Sequence, residues 1–406
     1  MKFTISHRRV GHGTSHDNMK RIRAMKSLTL LLAFTAVPGL AAPAFADAPT
    51  SSSALLQPFV DKHELAGAVA LVADKDQVVS IETVGFADIE AGKPMKADSV
   101  FWIASQSKGI TAAAVMMLVD EGKISLDDAV EKYLPEFRDQ MVVAGKDGDK
   151  VTLKKPSHPI TIREVLSHVS GLPFRSDVEQ PTLDALPLAD AVKSYAKTPL
   201  QTEPGTHYQY SNAGINTGAR IIEVVTGRKY EDFMDERLFN PLGMKDTTFW
   251  PNEEQITLLA KSYRPNATKD NLVEFPFGQL LYPLNDRSKR FPMPAGGLFS
   301  TAQDTALFCQ MLLNGGELNG KRYLSEAAFK ALTTRQTPKS IQNSYGLGLA
   351  VGSDWFGHGG AHATNMEIRP AKGIVMIWMV QHGGFPGEGA KAQGVFKNWA
   401  IQRFGK

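Results

Sequence analysis

The stretch that decides the fold is FWIASQSKGITAAAVMMLV, residues 101–119. Its second half is an apolar run typical of a buried helix, and Ser105 is expected in the first turn of that helix. Lys108 follows three residues later, so both side chains are predicted to lie on one face. A lysine that burial keeps neutral can take the proton of a serine hydroxyl. The pattern S-x-x-K is known from serine acyl enzymes.

The same four-residue pattern occurs again from Ser194 to Lys197. It lies on a short amphipathic helix that is predicted to end before Pro199. No apolar run follows it to bury the lysine. We therefore interpret the second copy as a chance match, and Ser105 with Lys108 as the candidate catalytic pair.

Composition and charge restrict the classes of function. The chain has 406 residues and one cysteine, Cys309, which excludes an internal disulfide and a thiolate-rich metal site. A basic segment, a short apolar core at residues 28–40 and the A-x-A signal ending at Ala46 predict a leader over residues 1–46. Translation is predicted to start at Met1, Met19 or Met25.

Removal of the leader changes the charge of the chain. The remainder has 38 basic and 41 acidic residues, a net charge of −3, so the sequence predicts no nucleic-acid partner. The apolar core is too short to span a bilayer. We expect an exported protein in the periplasm or outside the cell, with no stable membrane anchor once the leader is cleaved.

Patterns along the rest of the chain predict an α/β (α+β) fold. A helix at 52–63 and strands at 66–73 and 77–84 precede Ser105, and strands at 344–351, 355–358, 363–368 and 374–380 precede a final helix at 390–404. Strands at both chain ends predict one antiparallel sheet flanked by helices. The α/β part is predicted at about 47–110 and 340–404, with an inserted all-α part at about 111–339.

Two further motifs are candidates for the site. Tyr210-Ser211-Asn212 combines a proton carrier with an amide, although a buried tyrosine and a helix-capping asparagine explain the same letters. His358-Gly359-Gly360-Ala361 lies on a predicted strand, where glycines permit close approach of a ligand or form a bulge. His168, at the end of a helix that begins with a Thr161…Glu164 capping box, is interpreted as bonding backbone carbonyls rather than as a base.

In this order, the three motifs resemble those of the serine β-lactamase and penicillin-binding-protein superfamily over about residues 52–404. The resemblance is greatest to its class C-like branch of β-lactamases, D-Ala-D-Ala carboxypeptidases, D-aminopeptidases and family VIII carboxylesterases. It implies that Ser105 is acylated, that Lys108 is the base and that Tyr210 relays protons. It also implies that Asn212 orients Lys108 and the substrate, and that the N–H groups of Ser105 and Ala361 form the oxyanion hole.

The substrate stays open between a small ester, a β-lactam and a D-peptide. The family's K-T-G lysine is replaced by His358, which is mostly neutral at pH 7 and so favours an ester over an anionic substrate. Arg287 and Arg290 are considered as alternative anion contacts or as solvated surface charges. A non-catalytic cell-wall or penicillin sensor is the alternative of another class. We predict no metal, because H-E-x-x-H is absent from the sequence, and no cofactor. The absence of a G-x-S-x-G elbow argues against a lipase fold.

Overall fold

The computed structural model describes residues 51–406, so the predicted leader lies outside the described residues. The strands, in chain order, are β1 Gly67–Ala73, β2 Val78–Asp88, β3 Lys93–Pro94, β4 Phe101–Trp102, β5 Val142–Asp147, β6 Lys150–Lys154, β7 Tyr263–Pro265, β8 Leu272–Glu274, β9 Phe299–Ser300, β10 Glu317–Leu318, β11 Lys321–Arg322, β12 Ala350–Val351, β13 Phe356–Gly359, β14 Asn365–Arg369 and β15 Ile374–Met379. The helices are α1 Ser52–Asp61, α2 Ser107–Asp120, α3 Ile162–Leu166, α4 Leu188–Lys197, α5 Asn212–Thr226, α6 Tyr230–Met234, α7 Asn240–Leu242, α8 Glu253–Leu258, α9 Ala302–Leu313, α10 Glu326–Thr333 and α11 Ala392–Phe404.

A seven-stranded antiparallel sheet joins the two ends of the described chain, as the sequence predicts. Its order is β12-β13-β14-β15-β1-β2-β3, with Leu71 of β1 opposite Ile377 of β15. Side chains of a strand point alternately to its two faces. Accordingly, Val69 and Leu71 enter the core that contains α2 and α9, whereas Ala70 enters the core beside α1 and α11. Strands from the N-terminal and C-terminal parts of the chain therefore contribute side chains to both cores.

Helix α2 is the centre of the larger core. Every residue of α2 from Ser107 to Leu118 is buried, which accounts for its nearly continuous apolar sequence. It packs against α5 and α10, and the end of β13 lies beside its first turn. Burial on all sides fixes the position of the helix that follows Ser105.

The middle of the chain differs from the predicted all-α part. It is mainly helical, but it also contains the hairpins β5–β6, β7–β8 and β10–β11. The pair β4–β9 joins the residues just before Ser105 to residues just before α9. The alternating pattern in these hairpins covers only two to six residues a strand, too few for a clear signal. The described residues, 51–406, belong to one compact unit.

The predicted strand at 344–351 is mostly wrong. Only β12, Ala350–Val351, pairs with β13, because the chain turns at Gly348 with φ +65°. A Cβ at Gly348 would lie 2.4 Å from the Lys108 carbonyl oxygen, so the backbone can approach α2 there only without a side chain. The turn brings residues before it toward the candidate site.

Within residues 51–406, none of the helices combines the length and the apolar character that a membrane crossing requires.

Candidate active site

Ser105 lies on a tight turn immediately before α2, one turn earlier than the sequence predicts. Residues Ala104–Gln106 form a single 3₁₀ turn that continues into α2 at Ser107. Ala104 has φ +46°, a conformation that non-glycine residues rarely adopt. The Ser107 hydroxyl donates to the Ala104 carbonyl oxygen at 2.6 Å and so holds the turn closed. Backbone strain of this kind is typical of functional sites.

Lys108 is fully buried beside Ser105. Its Nζ lies 3.0 Å from Ser105 Oγ and 2.7 Å from the Ala295 carbonyl oxygen. Burial lowers the pKa of Lys108 well below its ordinary value, because the charged form loses its water. The amine is therefore set to be neutral, with its lone pair available to the serine hydroxyl.

Tyr210 lies against the same lysine. Lys108 Nζ is 4.7 Å from the centroid of the Tyr210 ring. Burial raises the pKa of Tyr210, and a hydrogen bond with Ser105 acts in the opposite direction to a lesser extent. The Tyr210 hydroxyl is thus protonated at neutral pH and close to both the serine and the lysine.

His358 is a neutral imidazole in this structure. Its Nδ1 donates to the Gly359 carbonyl oxygen at 2.6 Å, so Nε2 accepts from the Tyr345 hydroxyl at 2.9 Å. The Tyr210 hydroxyl lies 3.5 Å from the same Nε2. Burial is the main cause that lowers the pKa of His358 to about 3; Lys108 lowers it further only when it is charged, and the bond to Gly359 raises it slightly. At neutral pH this position carries no positive charge.

The end of β13 lies directly on the nucleophile turn. A Cβ at Gly360 would be 2.6 Å from the Ile103 carbonyl oxygen, so this contact requires glycine. Ala361 follows in an exposed turn. Since β12 pairs only with Phe356 and Gly357, the described sheet has no strand outside His358 and Gly359, and their outer edge faces the site.

Asn212 does not make the predicted contact with Lys108. Within the described part of the chain, the amine's hydrogen-bond partners are Ser105 and Ala295. Asn212 is the first residue of α5, and its N-cap is Ser211, which accepts from the Gly214 N–H. The buried Oδ1 of Asn212 has no hydrogen-bond partner among residues 51–406.

The sequence analysis does not assign Tyr345 or His168 to the site, although both lie in it. Tyr345 reaches His358 only because the chain turns at Gly348, and such a turn is not predicted by a strand pattern. His168 has φ +62° and lies with its ring centroid 4.6 Å from that of Tyr210 and 4.7 Å from that of Tyr345. Its Nδ1 accepts the Ser211 N–H at 3.2 Å, so the prediction that it donates to carbonyls is wrong.

The two arginines considered as anion contacts are engaged elsewhere. Arg290 is buried, and its Nε lies 2.6 Å from Asp184 Oδ2. The guanidinium of Arg287 lies 4.7 Å from the ring centroid of Trp250. Arg290 thus forms a buried ion pair with Asp184. The sequence predicts either an anion contact or a solvated surface charge, and Arg290 is neither.

The second S-x-x-K lacks the features of the first. The Ser194 hydroxyl donates to the Ala191 carbonyl oxygen at 2.5 Å, and Lys197 is exposed at the end of α4. Within residues 51–406, no group of three or more His, Cys, Asp or Glu side chains is arranged to hold a metal ion.

Comparison with known protein families assigns this chain to one of them. A family model described as Beta-lactamase matches residues 53–395. This chain belongs to the Beta-lactamase family. The chain has the mixed α/β fold of that family and is a hydrolase of the β-lactamase fold.

Proteins with similar sequences carry names that refer to different activities. Protein Rv1367c of Mycobacterium tuberculosis is 29% identical over 82% of this chain and 89% of its own length. A "Putative D-alanyl-D-alanine carboxypeptidase" of Salmonella typhimurium is 27% identical over 69% of this chain and 68% of its own. Esterase EstB of Burkholderia gladioli is 34% identical over 46% of this chain and 48% of its own.

Two solved structures share the fold of this chain. EstCE1, described as a hydrolase with promiscuous acyltransferase activity, has a TM-score of 0.71 at 23% identity, covering 86% of this chain and 97% of its own. D-amino acid amidase from Ochrobactrum anthropi SV3 has a TM-score of 0.66 at 23% identity, covering 86% and 99%. At this identity the likeness concerns the fold.

Proposed function

We propose that this family member hydrolyses small carboxylic esters through an acyl-enzyme on Ser105. The observation that carries the proposal is the buried Lys108 amine, 3.0 Å from Ser105 Oγ with a pKa well below its ordinary value. A neutral amine at this distance is a general base for the serine hydroxyl.

Acylation follows from the geometry. The Ser105 hydroxyl gives its proton to Lys108 Nζ while Oγ attacks the ester carbonyl carbon. The N–H groups of Ser105 and Ala361 are the proposed donors to the resulting oxyanion, an interaction typically worth a hundredfold or more in rate. When the C–O bond breaks, the leaving alkoxide takes the proton of the Tyr210 hydroxyl, and Tyr210 is reprotonated by Lys108.

Deacylation reverses these roles. A water molecule attacks the acyl-enzyme and passes its proton through Tyr210 to Lys108. The tetrahedral intermediate then expels Ser105 Oγ, which recovers its proton from Lys108 and releases the carboxylic acid. Because its pKa is raised, Tyr210 acts as a protonated relay between water, leaving group and lysine.

The neutral His358 favours an ester substrate. Classical β-lactams and peptide C-termini carry a carboxylate, which a neutral imidazole attracts weakly. Arg290, a candidate for that contact, is paired with Asp184 instead. The relationship to Esterase EstB, which includes 46% of this chain, supports the same substrate class.

A D-amino-acid peptide or amide is the second candidate, with β-lactam hydrolysis as a further alternative. The Salmonella relative matches a larger share of this chain than Esterase EstB does. The open outer edge at His358 and Gly359 could pair with the backbone of a peptide substrate. A pure sensor would not require the neutral lysine and the tyrosine relay, so we do not favour a non-catalytic role. We also propose export to the periplasm after cleavage of residues 1–46.

A steady-state screen of the mature protein tests this proposal. The substrates are p-nitrophenyl acetate and butyrate, nitrocefin and D-amino-acid amides. We expect turnover of the esters, loss of all activity in Ser105→Ala and a nearly equal loss in Lys108→Ala, because such groups act as a unit.

The second S-x-x-K provides matched controls. Ser194→Ala and Lys197→Ala remove the same side-chain types from α4 and should keep wild-type rates. Stoichiometric labelling of Ser105 by a fluorophosphonate without turnover of any substrate would support a sensor. Activity that survives Ser105→Ala but not Ser194→Ala would refute the assignment.

A further inference from the structure

The carbonyl group that holds Lys108 belongs to a segment that is fixed by three side chains. Thr111 donates to the Pro294 carbonyl oxygen at 2.8 Å, and Trp102 Nε1 donates to the Gly296 carbonyl oxygen at 2.7 Å. Between them, the Ala295 N–H donates to Oδ1 of Asn216 at 3.0 Å. Each of residues 294–296 therefore has a backbone hydrogen bond with a different side chain, and the Ala295 carbonyl oxygen accepts from the Lys108 amine.

Asn216 is itself held by a buried chain of hydrogen bonds. Its Nδ2 donates to the Tyr195 hydroxyl oxygen at 3.0 Å, and that hydroxyl donates to Glu179 Oε1 at 2.7 Å. Glu179 Oε2 accepts the Ser176 N–H at 2.7 Å. The three side chains Asn216, Tyr195 and Glu179 are 2% exposed or less.

The directions of these bonds leave one arrangement. A backbone N–H can only donate, so the oxygen of the Asn216 amide must face Ala295 and its nitrogen must face Tyr195. Tyr195 then accepts from Asn216 and has its own proton left for Glu179. The Glu179 carboxylate accepts this hydrogen bond from the Tyr195 hydroxyl. The amide of Asn216 cannot rotate by 180° without breaking both of its hydrogen bonds.

We propose that Asn216 is a positioning residue for Lys108, held in place by Tyr195 and Glu179. This inference rests on the proposed function, in which Lys108 is the base. A neutral amine has two N–H groups and one lone pair. When one N–H donates to the Ala295 carbonyl, the lone pair can be directed at the Ser105 hydroxyl, so a displaced Ala295 misdirects the base.

Two variants test the inference in the mature protein with a p-nitrophenyl ester. Asn216→Leu keeps the approximate volume but loses both hydrogen bonds, and kcat should fall about tenfold or more, as expected for a small misplacement of a catalytic group. Tyr195→Phe removes only the hydroxyl, and kcat should fall less, by about threefold. In both, KM should stay within about twofold of wild type, since ground-state binding is unchanged.

Thr217→Val is the matched control, since it removes a buried intrahelical hydrogen bond, 2.8 Å to Ala213, from the same helix. It should keep the wild-type kcat. The pH dependence of kcat gives a readout that a general loss of packing would not move: Asn216→Leu should shift the acid-side inflection that reports Lys108, whereas Thr217→Val should leave it unchanged. Thermal unfolding shows which variants are folded, and Tyr195→Phe retains the test if Asn216→Leu is not.

The possible failures are distinguishable. Wild-type kcat in both folded variants, with Lys108→Ala inactive, overturns the positioning role alone. A loss of kcat in Asn216→Leu with the acid-side inflection of the wild type also overturns it. Full activity of Lys108→Ala overturns the proposed base and the inference together.

Discussion

The charge at position 358 should decide whether the enzyme accepts an anionic substrate. With a pKa of about 3, protonation of His358 at pH 7 costs about 5 kcal/mol. A hydrogen bond between a charged group and a substrate carboxylate returns only about 1.5–3 kcal/mol. Binding of a carboxylate is therefore insufficient to charge His358, and the imidazole stays neutral throughout the reaction.

His358→Lys replaces this neutral group with one that is easier to keep charged. Lysine has an ordinary pKa of about 10.4, roughly four units above that of histidine, so the same burial leaves a substantial charged fraction at pH 7. In the wild type, ester kcat/KM should exceed nitrocefin kcat/KM by well over tenfold. The lysine should narrow that ratio by about tenfold to a hundredfold, equivalent to about 1–3 kcal/mol of anion contact.

The assay is steady-state hydrolysis of p-nitrophenyl butyrate and nitrocefin from pH 5 to pH 9, with His358→Gln as the neutral control. The glutamine variant should keep the wild-type preference for esters. Neither substrate should show a wild-type inflection from His358 between pH 6 and pH 8, since its pKa lies well below that window. Nitrocefin turnover equal to ester turnover at pH 8 would refute this reasoning. A fall in nitrocefin turnover from pH 6 to pH 8 that His358→Gln abolishes would refute it as well.

Two further predictions concern export and acid stability. N-terminal sequencing of protein from the periplasmic fraction should begin at Asp47, and an intact leader on cytoplasmic protein would contradict the predicted export. Urea unfolding should show a large loss of stability between pH 7.5 and pH 5, because burial lowers the pKa of four histidines: His168, His358, His362 and His382. Their unfolded forms bind protons below about pH 6.5 while the folded forms do not, so His358, His362 and His382 each cost about 2 kcal/mol of stability at pH 5, and His168 acts in the same direction. Asp304, whose pKa burial raises to about 6, offsets about 1 kcal/mol of that loss, and equal stability at the two pH values would contradict the prediction.

The parts of the fold that the sequence predicts are those with strong local patterns. The apolar strand β15 is found at Ile374–Met379, and the capping box of Thr161 and Glu164 is present at the start of α3. The family resemblance and the mixed α/β fold are confirmed. The strand and the capping box each have their signal within one short stretch of chain, and the family resemblance combines three such short motifs.

What could not be predicted depends on contacts between distant residues. Asn216 and Ala295 are 79 residues apart, and no local pattern indicates that they bond. The carbonyl of Ala295 accepts from Lys108, whereas the motif suggests that Asn212 would hold the lysine. Glycines at 346 and 348 interrupt a stretch that otherwise alternates like a strand, and the resulting turn places Tyr345 beside His358. Packing, not propensity, determines these positions.

The pairing of β1 with β15 has a consequence for biosynthesis. The central strand at Gly67–Ala73 finds its partner about 300 residues later, at Ile374–Met379. While the C-terminal part is still being synthesised, β1 lacks its neighbour β15 and the nucleophile turn lacks β13. Loop closure over such a distance is slow, and partly synthesised chains expose apolar strand faces in the meantime. The sheet and the reaction centre are therefore completed only when residues 356–406 are added. A chain that ends before residue 356 lacks β13, β14 and β15.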